Sequence, residues 1–318
     1  MTIKLEPSFE ALLKVMPTTD VIDYKAIRQQ MKDTSMVPQH YISNMVEEEK
    51  YIPTRAGDNL RLVITRPAHL THEAETLPVI LHIHGGGWAT GCPEAYIPMR
   101  STFTNDAQAI VISIDYSLSP EVQHPVALEE CFDTLEWVLN QGNALLHGAN
   151  TSKIAVVGDS AGGNLAAALC LLAKQRGLEN AIQFAALMYP VIDANFDTES
   201  YQQFGKEGYL LSSKGMQWFW DQYVPNHEDR QNTLVSPLQA SLDELRGLPR
   251  TMIITGEVDI LRDEAEAYAH KLMAADVSVV ATRYLGAIHG FCSFADVSPT
   301  GKSAVRHIVQ ELKNTWAA

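Results

Sequence analysis

From Tyr51 onward the chain alternates short apolar, β-rich runs with longer stretches of helical spacing, and this alternation restricts the fold more than any other feature. "NLRLVITRP" (59–67) reads as a strand closed by proline. "LPVILHIHG" (77–85) and "AIVISIDY" (109–116) are continuous apolar runs, as in strands buried on both faces. "PVALEECFDTLEWVLNQG" (125–142) has helical spacing, with proline at its start and glycine at its end. "KIAVVG" (153–158) predicts a strand, and "SAGGNLAAALCLLAKQRG" (160–177) a helix. "FAALMYP" (184–190), "RTMIITG" (250–256) and "VSVVATRYL" (277–285) predict further strands. "DEAEAYAHKLMAA" (263–275) predicts a helix between the last two, and an amphipathic helix over 303–316 closes the chain. Strands and helices in turn imply an α/β class, with a mostly parallel sheet flanked by helices.

Two regions break the pattern. Residues 1–48 are helix-like and precede the first strand. Residues 193–232 follow "LMYPVID" and carry the aromatic cluster "MQWFWDQYV". Both are expected to form a helical cap over the end of the sheet, leaving 49–192 and 233–318 as the core. Trp218, Phe219, Trp220 and Tyr223 fit ordinary helix packing equally well.

The 318 residues suit one large α/β domain with an insertion, or two modest domains. A net charge of −14 makes nucleic acid and anionic membranes poor partners. The start, "MTIKLEPSFEALLKVM", lacks the pattern of a signal peptide, and no window approaches the roughly 18 apolar residues of a membrane span. The four cysteines form no CxxC pair, so reduced thiols and a cytoplasmic protein are expected.

"VVGDSAGGNLAAAL" contains G-x-S-x-G as Gly158-Asp159-Ser160-Ala161-Gly162. Five residues with two wildcards recur by chance, but here a β-branched strand precedes them and a long apolar helix follows. That is the setting of a nucleophile elbow, where the serine hydroxyl stands clear of a crowded turn and its neighbours must be small. The helix N-terminus favours a developing anion there. A phosphate-binding loop would need G-K-[ST] or G-x-G-x-x-G, and neither is present.

A serine hydroxyl needs a base, and the base needs an orienting carboxylate. Of His227, His270, His289 and His307, only His289, in "LGAIHGF", follows the last predicted strand on a glycine-containing loop. The acid is expected in "EVDILRDE", after the strand 250–256. Asp263 and Glu264 begin a helix, so Asp259 is the choice and Glu257 the fallback. The glycines of His84-Gly85-Gly86-Gly87 then acquire a purpose: backbone N–H groups must face the oxyanion of a tetrahedral intermediate, where side chains would intrude. The expected donors are the N–H groups of Gly86, Gly87 and Ala161. His84 is expected to pin the loop. Trp88 and Trp218 are candidates for the substrate pocket.

Together, HGGGW at 84–88, "DYSLSPE" at 115–121, GDSAGGN at 158–164, "DILRDE" at 259–264 and HGF at 289–291 resemble the hormone-sensitive-lipase-like, or bacterial family IV, carboxylesterases of the α/β-hydrolase superfamily. The resemblance spans 77–291. It implies an α/β-hydrolase fold with an N-terminal cap, and hydrolysis of short- to medium-chain acyl esters with no metal and no cofactor. It carries Ser160, Asp259 and His289 over as the triad, and Gly86, Gly87 and Ala161 as the oxyanion hole. It also implies a small-molecule ester as substrate and is compatible with a homodimer formed through an edge strand. Two positions depart from the family pattern. Ser117 stands where arginine is usual, so an ion pair near that loop is expected to be missing. Ile260 stands where proline usually follows the acid. An amidase or deacetylase with the same triad, or a non-catalytic small-molecule receptor on a hydrolase scaffold, are the alternative readings. A large-substrate peptidase is disfavoured because no gating domain fits.

Overall fold

The computed structural model describes residues 4–15, 22–35, 37–68, 76–146, 148–206 and 209–317. Residues 1–3, 16–21 and 36 of the N-terminal segment, and 207–208 of the second insertion, therefore lie outside the described residues. The strands are β1 (Met45–Pro53), β2 (Asn59–Pro67), β3 (Leu77–Ile83), β4 (Ile110–Ile114), β5 (Ala149–Asp159), β6 (Phe184–Met188), β7 (Arg250–Val258) and β8 (Val279–Ile288). They form one sheet in the order β1-β2-β4-β3-β5-β6-β7-β8. β1 and β2 are antiparallel to their neighbours, and the rest of the sheet is parallel.

The helices are α1 (Pro7–Val15), α2 (Tyr24–Met31), α3 (Gln39–Ser43), α4 (Ile97–Asp106), α5 (Val126–Leu145), α6 (Ala161–Gln175), α7 (Glu199–Phe204), α8 (Ser213–Tyr223), α9 (Leu242–Leu245), α10 (Arg262–Ala274) and α11 (Pro299–Ala317). The central strands β3, β4 and β6 are buried almost throughout, as their unbroken apolar runs require. No described helix is long and apolar enough to cross a membrane. All four cysteines are free and buried.

Two expectations need correction. The chain enters the sheet earlier than the pattern suggests: β1 begins at Met45, so a boundary at residue 48 falls inside a strand. "MVEEEKYIP" looks like solvated chain because three glutamates follow one another. An edge strand tolerates them, and each has an arginine partner: Glu47 with Arg100, Glu48 with Arg66, Glu49 with Arg61. Helix α5 runs past Gly142 to Leu145. That glycine does not end the helix; it admits Thr151, whose Cγ2 would lie 2.8 Å from an added Cβ. Helices α7, α8 and α9 all lie between β6 and β7.

At the position where arginine was expected, Ser117 turns to the buried Glu130. Its N–H and its hydroxyl donate to the two carboxylate oxygens, each at 2.6 Å. Burial raises the Glu130 pKa above the usual carboxylate value, and the two Ser117 bonds oppose that rise. The two segments outside the alternation meet each other, with the Tyr24 ring of α2 6.0 Å from the Trp218 ring of α8.

Helix α6 crosses β3 so closely that a Cβ on Gly162 would run into the Ile83 and His84 carbonyls. Both are backbone atoms, which cannot move aside. Gly215 in α8 instead has its nearest neighbour at 3.4 Å. Gly162→Ala is therefore expected to destabilise the protein by about 2 kcal/mol or more. Gly215→Ala should leave it unchanged or raise stability by up to about 1 kcal/mol. Urea-unfolding midpoints of the two variants check the contrast.

Candidate active site

Strand β5 ends at Asp159 and helix α6 begins at Ala161, so Ser160 is the whole of the turn between them. It sits at φ 54°, ψ −120°, a conformation that a non-glycine residue adopts only when its surroundings impose it. Those surroundings are hydrogen bonds and close contacts. The Ser160 N–H donates to Met188 O at 2.9 Å, and Ser160 O accepts from the N–H groups of Asn164 (3.1 Å) and Val191 (3.2 Å). A Cβ on Gly158 would strike the Gly162 backbone, and one on Gly163 would lie 2.8 Å from Pro190 Cβ. The small residues around the serine are thus required by space.

His289 follows β8, at the carboxyl end of the parallel strands. Its Nε2 lies 3.0 Å from Ser160 Oγ, and its Nδ1 lies 2.8 Å from Asp259 Oδ2. A carboxylate only accepts, so Nδ1 carries the proton and Nε2 is free to accept from the serine. The second Asp259 oxygen accepts from the Leu261 N–H at 3.0 Å. All three side chains are buried, which strengthens the electrostatic coupling between them. The fallback acid, Glu257, points elsewhere and accepts from the Gly286 N–H. The other downstream histidines are remote from this chain of bonds. His227 is exposed beside Asp221, His270 is exposed on α10, and His307 lies 3.2 Å from the Tyr284 hydroxyl.

The glycine loop lies beside the elbow. Gly86, Gly87 and Trp88 have φ of 111°, 60° and 57°, three positive values in succession. Among the described residues, no hydrogen bond uses the N–H of Gly86 or Gly87. A side chain on Gly86 would collide with Thr90 O, and one on Gly87 with the Phe219 ring. His84 is structural. It is buried, its ring stacks on Tyr116 at 4.2 Å, and its Nδ1 donates to Gly85 O at 2.8 Å.

The pocket candidates separate. Trp88 is fully buried, stacked on Tyr223 at 4.3 Å and tilted on Trp220 at 4.8 Å, so it packs the loop against α8 and is no solvent-reached pocket wall. Trp218 keeps a partly exposed face between Tyr24 and Phe219. Among the described residues, no cluster of three or more His, Cys, Asp or Glu could hold a metal ion.

The chain is similar along most of its length to known proteins. A family model described as alpha/beta hydrolase fold matches residues 80–293. A carboxylesterase of Mycobacterium tuberculosis is 31% identical over 317 residues, covering 99% of this chain and 97% of that protein. An arylesterase of Saccharolobus solfataricus is 30% identical over 293 residues, covering 90% of this chain and 92% of the other. An esterase from the fungus Rhizomucor miehei superposes with a TM-score of 0.92 at 42% identity, covering 99% of this chain and 98% of the other. A thermostable esterase from Pseudomonas putida gives 0.91 at 34% identity, with the same coverage.

Sequence reasoning passed over two residues behind the site. Asp159, a wildcard position of the elbow motif, accepts from the Gly85 N–H at 2.8 Å and from the Tyr96 hydroxyl at 3.0 Å. It ties the first glycine of the loop to the elbow, and a Cβ on Gly85 would lie 2.5 Å from its Oδ2. Burial pushes the Asp159 pKa up to about 6, against the pull of these two hydrogen bonds and of His289. The folded state therefore favours the protonated form. The stability this provides is full below the ordinary carboxylate range and is lost as pH rises through about 6. Asp159→Asn stays neutral and keeps an acceptor for Gly85. Between about pH 4.5 and about pH 7.5 it should gain about 1–3 kcal/mol of stability relative to the parent. Urea titrations at both pH values measure this, and a difference independent of pH would contradict it.

Proposed function

This chain belongs to the hormone-sensitive-lipase-like family of α/β-hydrolases, and we propose that it is a carboxylesterase acting through a covalent acyl-serine. The observation that carries the reading is the unbroken chain of contacts from Ser160 Oγ through His289 to Asp259, at 3.0 and 2.8 Å. His289 Nε2 takes the Ser160 proton as Oγ attacks the ester carbonyl carbon. Asp259 holds the imidazole in the productive tautomer and stabilises the imidazolium. Negative charge gathers on the carbonyl oxygen, where the N–H groups of Gly86, Gly87 and Ala161 receive it. Each such donor is worth about 2.7–4 kcal/mol in the transition state. Collapse of the intermediate breaks the bond to the alkoxy oxygen, which leaves as alcohol with the proton from His289. Water, deprotonated by His289, then attacks the acyl carbon; the bond to Ser160 Oγ breaks, Oγ takes the proton back from His289, and the acid leaves.

The N-terminal helices, together with α7 and α8, form the cap in this reading. The substrate is a small ester with a short to medium acyl chain. The Phe219 ring lies against Gly87 in the glycine loop, which makes it the side chain of α8 placed to meet a substrate held there. The four free, buried cysteines suit a reducing compartment, so we place the protein in the cytoplasm.

The test is hydrolysis of p-nitrophenyl esters from acetate to decanoate, with Ser160→Ala alongside. The rate should peak at short to medium chains and fall by about 10⁴–10⁶ in the variant. Wild type and variant equally inactive on every ester would return the scaffold to a receptor role. Faster cleavage of an anilide than of the matched ester would make it an amidase.

A further inference from the structure

The glycine loop is fastened by its carbonyl groups, and one fastener comes from outside the core. Gly86 O accepts from the Thr90 N–H and the Thr90 hydroxyl, both at 2.8 Å, and from the Ala89 N–H at 3.2 Å. Trp88 O accepts from the Ser119 N–H at 2.8 Å. Ala89 O accepts from Arg28 Nε at 2.7 Å, and Arg28 belongs to α2 in the N-terminal segment. The same guanidinium donates through Nη2 to Ser119 O at 2.7 Å and forks onto Glu121 at 2.9 and 2.8 Å. Its face rests 4.8 Å above the Tyr24 ring.

Four donated bonds nearly exhaust the five N–H groups of an arginine, and their planar fork fixes the directions of the acceptors. The ion pair with Glu121 is the weak part. That carboxylate is about half exposed, and exposed pairs contribute little. The two backbone carbonyls are different, since each fixes a peptide plane. Ala89 lies two residues beyond Gly87, at the end of three consecutive positive φ values that ordinary backbone would abandon if released.

We infer that Arg28 is a positioning residue for the oxyanion hole. Helix α2 supplies the donor that fixes the 86–90 loop against the 119–121 loop, and so aims the Gly86 and Gly87 N–H groups. The inference rests on the assignment of those groups as oxyanion donors. It makes the N-terminal segment part of the reacting scaffold as well as a cover over it.

The test compares Arg28→Ala, Arg28→Lys and Glu121→Gln by ester kinetics and by hydrogen exchange of the peptide spanning 85–91. In Arg28→Ala, kcat should fall about 10- to 100-fold, less than the loss of a whole donor. KM should change less than about three-fold, and the fall should be the same for acetate and longer esters, because every substrate forms the same oxyanion. Exchange over 85–91 should quicken about ten-fold or more. Glu121→Gln keeps both carbonyl bonds and should stay within about two-fold of the parent. A folded Arg28→Ala protein with kcat within two-fold of the parent overturns the inference. So does a loss confined to KM that grows with acyl length, which would make Arg28 an anchor for the pocket wall alone. If Arg28→Ala does not fold, Arg28→Lys decides: its single ammonium should show the same kcat pattern at about three- to ten-fold, and parent-like kinetics would overturn the inference. If the wild type cleaves no ester, the esterase reading fails and exchange alone judges the clamp. Faster exchange in the variant then keeps it, and unchanged exchange removes it.

Discussion

Strands β3 and β5 are hydrogen-bonded neighbours in a parallel register that sets Ile83 opposite Gly158. The candidate site depends on this pairing. Parallel neighbours end at the same edge of the sheet, so the segments that follow them must emerge side by side. One is the glycine loop and the other is the serine elbow. Neither could approach the other with ordinary side chains. Gly85 is bare because Asp159 occupies the space a Cβ would need, and Gly162 is bare because the β3 carbonyls do. The glycines that look extravagant in the sequence are the consequence of two strand ends converging on one point.

What converges there is polar and buried, and each of its carboxylates has hydrogen-bond partners. Asp159 has Gly85 and Tyr96, Asp259 has His289 and Leu261, and Glu264 takes the N–H groups of Ile192 and Asp193. Burial raises the pKa of both Asp159 and Glu264, although each accepts two hydrogen bonds. A buried carboxylate left without partners would cost far more than these bonds return, so the network specifies one arrangement of the loops. The Tyr189 ring lies edge-on to His289, with 5.0 Å between ring centres.

The sequence exposes the part of this that repeats locally. The buried parallel strands are continuous apolar runs, and the serine is flanked by a strand and a helix, so both are readable within about twenty residues. His289 and Asp259 follow from chain order once the elbow is recognised. Hidden features fall into two kinds. Some contradict the local pattern: β1 carries three glutamates, which an edge strand leaves partly in solvent and which pair with Arg61, Arg66 and Arg100. Others are contacts between distant residues, as when Tyr96 reaches Asp159 or Trp88 stacks on Tyr223. Composition and periodicity carry no trace of such pairs, because each residue is unremarkable until the fold joins it to its partner.

The two segments outside the alternation bear on the site in the same way, although they are far apart in the chain. Arg28 of α2 holds the Ala89 carbonyl beside the glycine loop. Ser200 of α7 donates through its hydroxyl at 2.6 Å to the Ile260 carbonyl, on the loop that presents Asp259, and through its N–H at 2.7 Å to Asp263 in the first turn of α10. One segment therefore braces the loop proposed to hold the oxyanion, and the other braces the loop of the proposed acid. A cap that only covered a pocket could vary freely with substrate size. The proposed cap also holds the backbone of two site loops, so a shift of its helices moves groups that must stay aligned to within a fraction of an ångström. Changes of substrate range should then arise in side chains and leave the helices that carry Arg28 and Ser200 where they are.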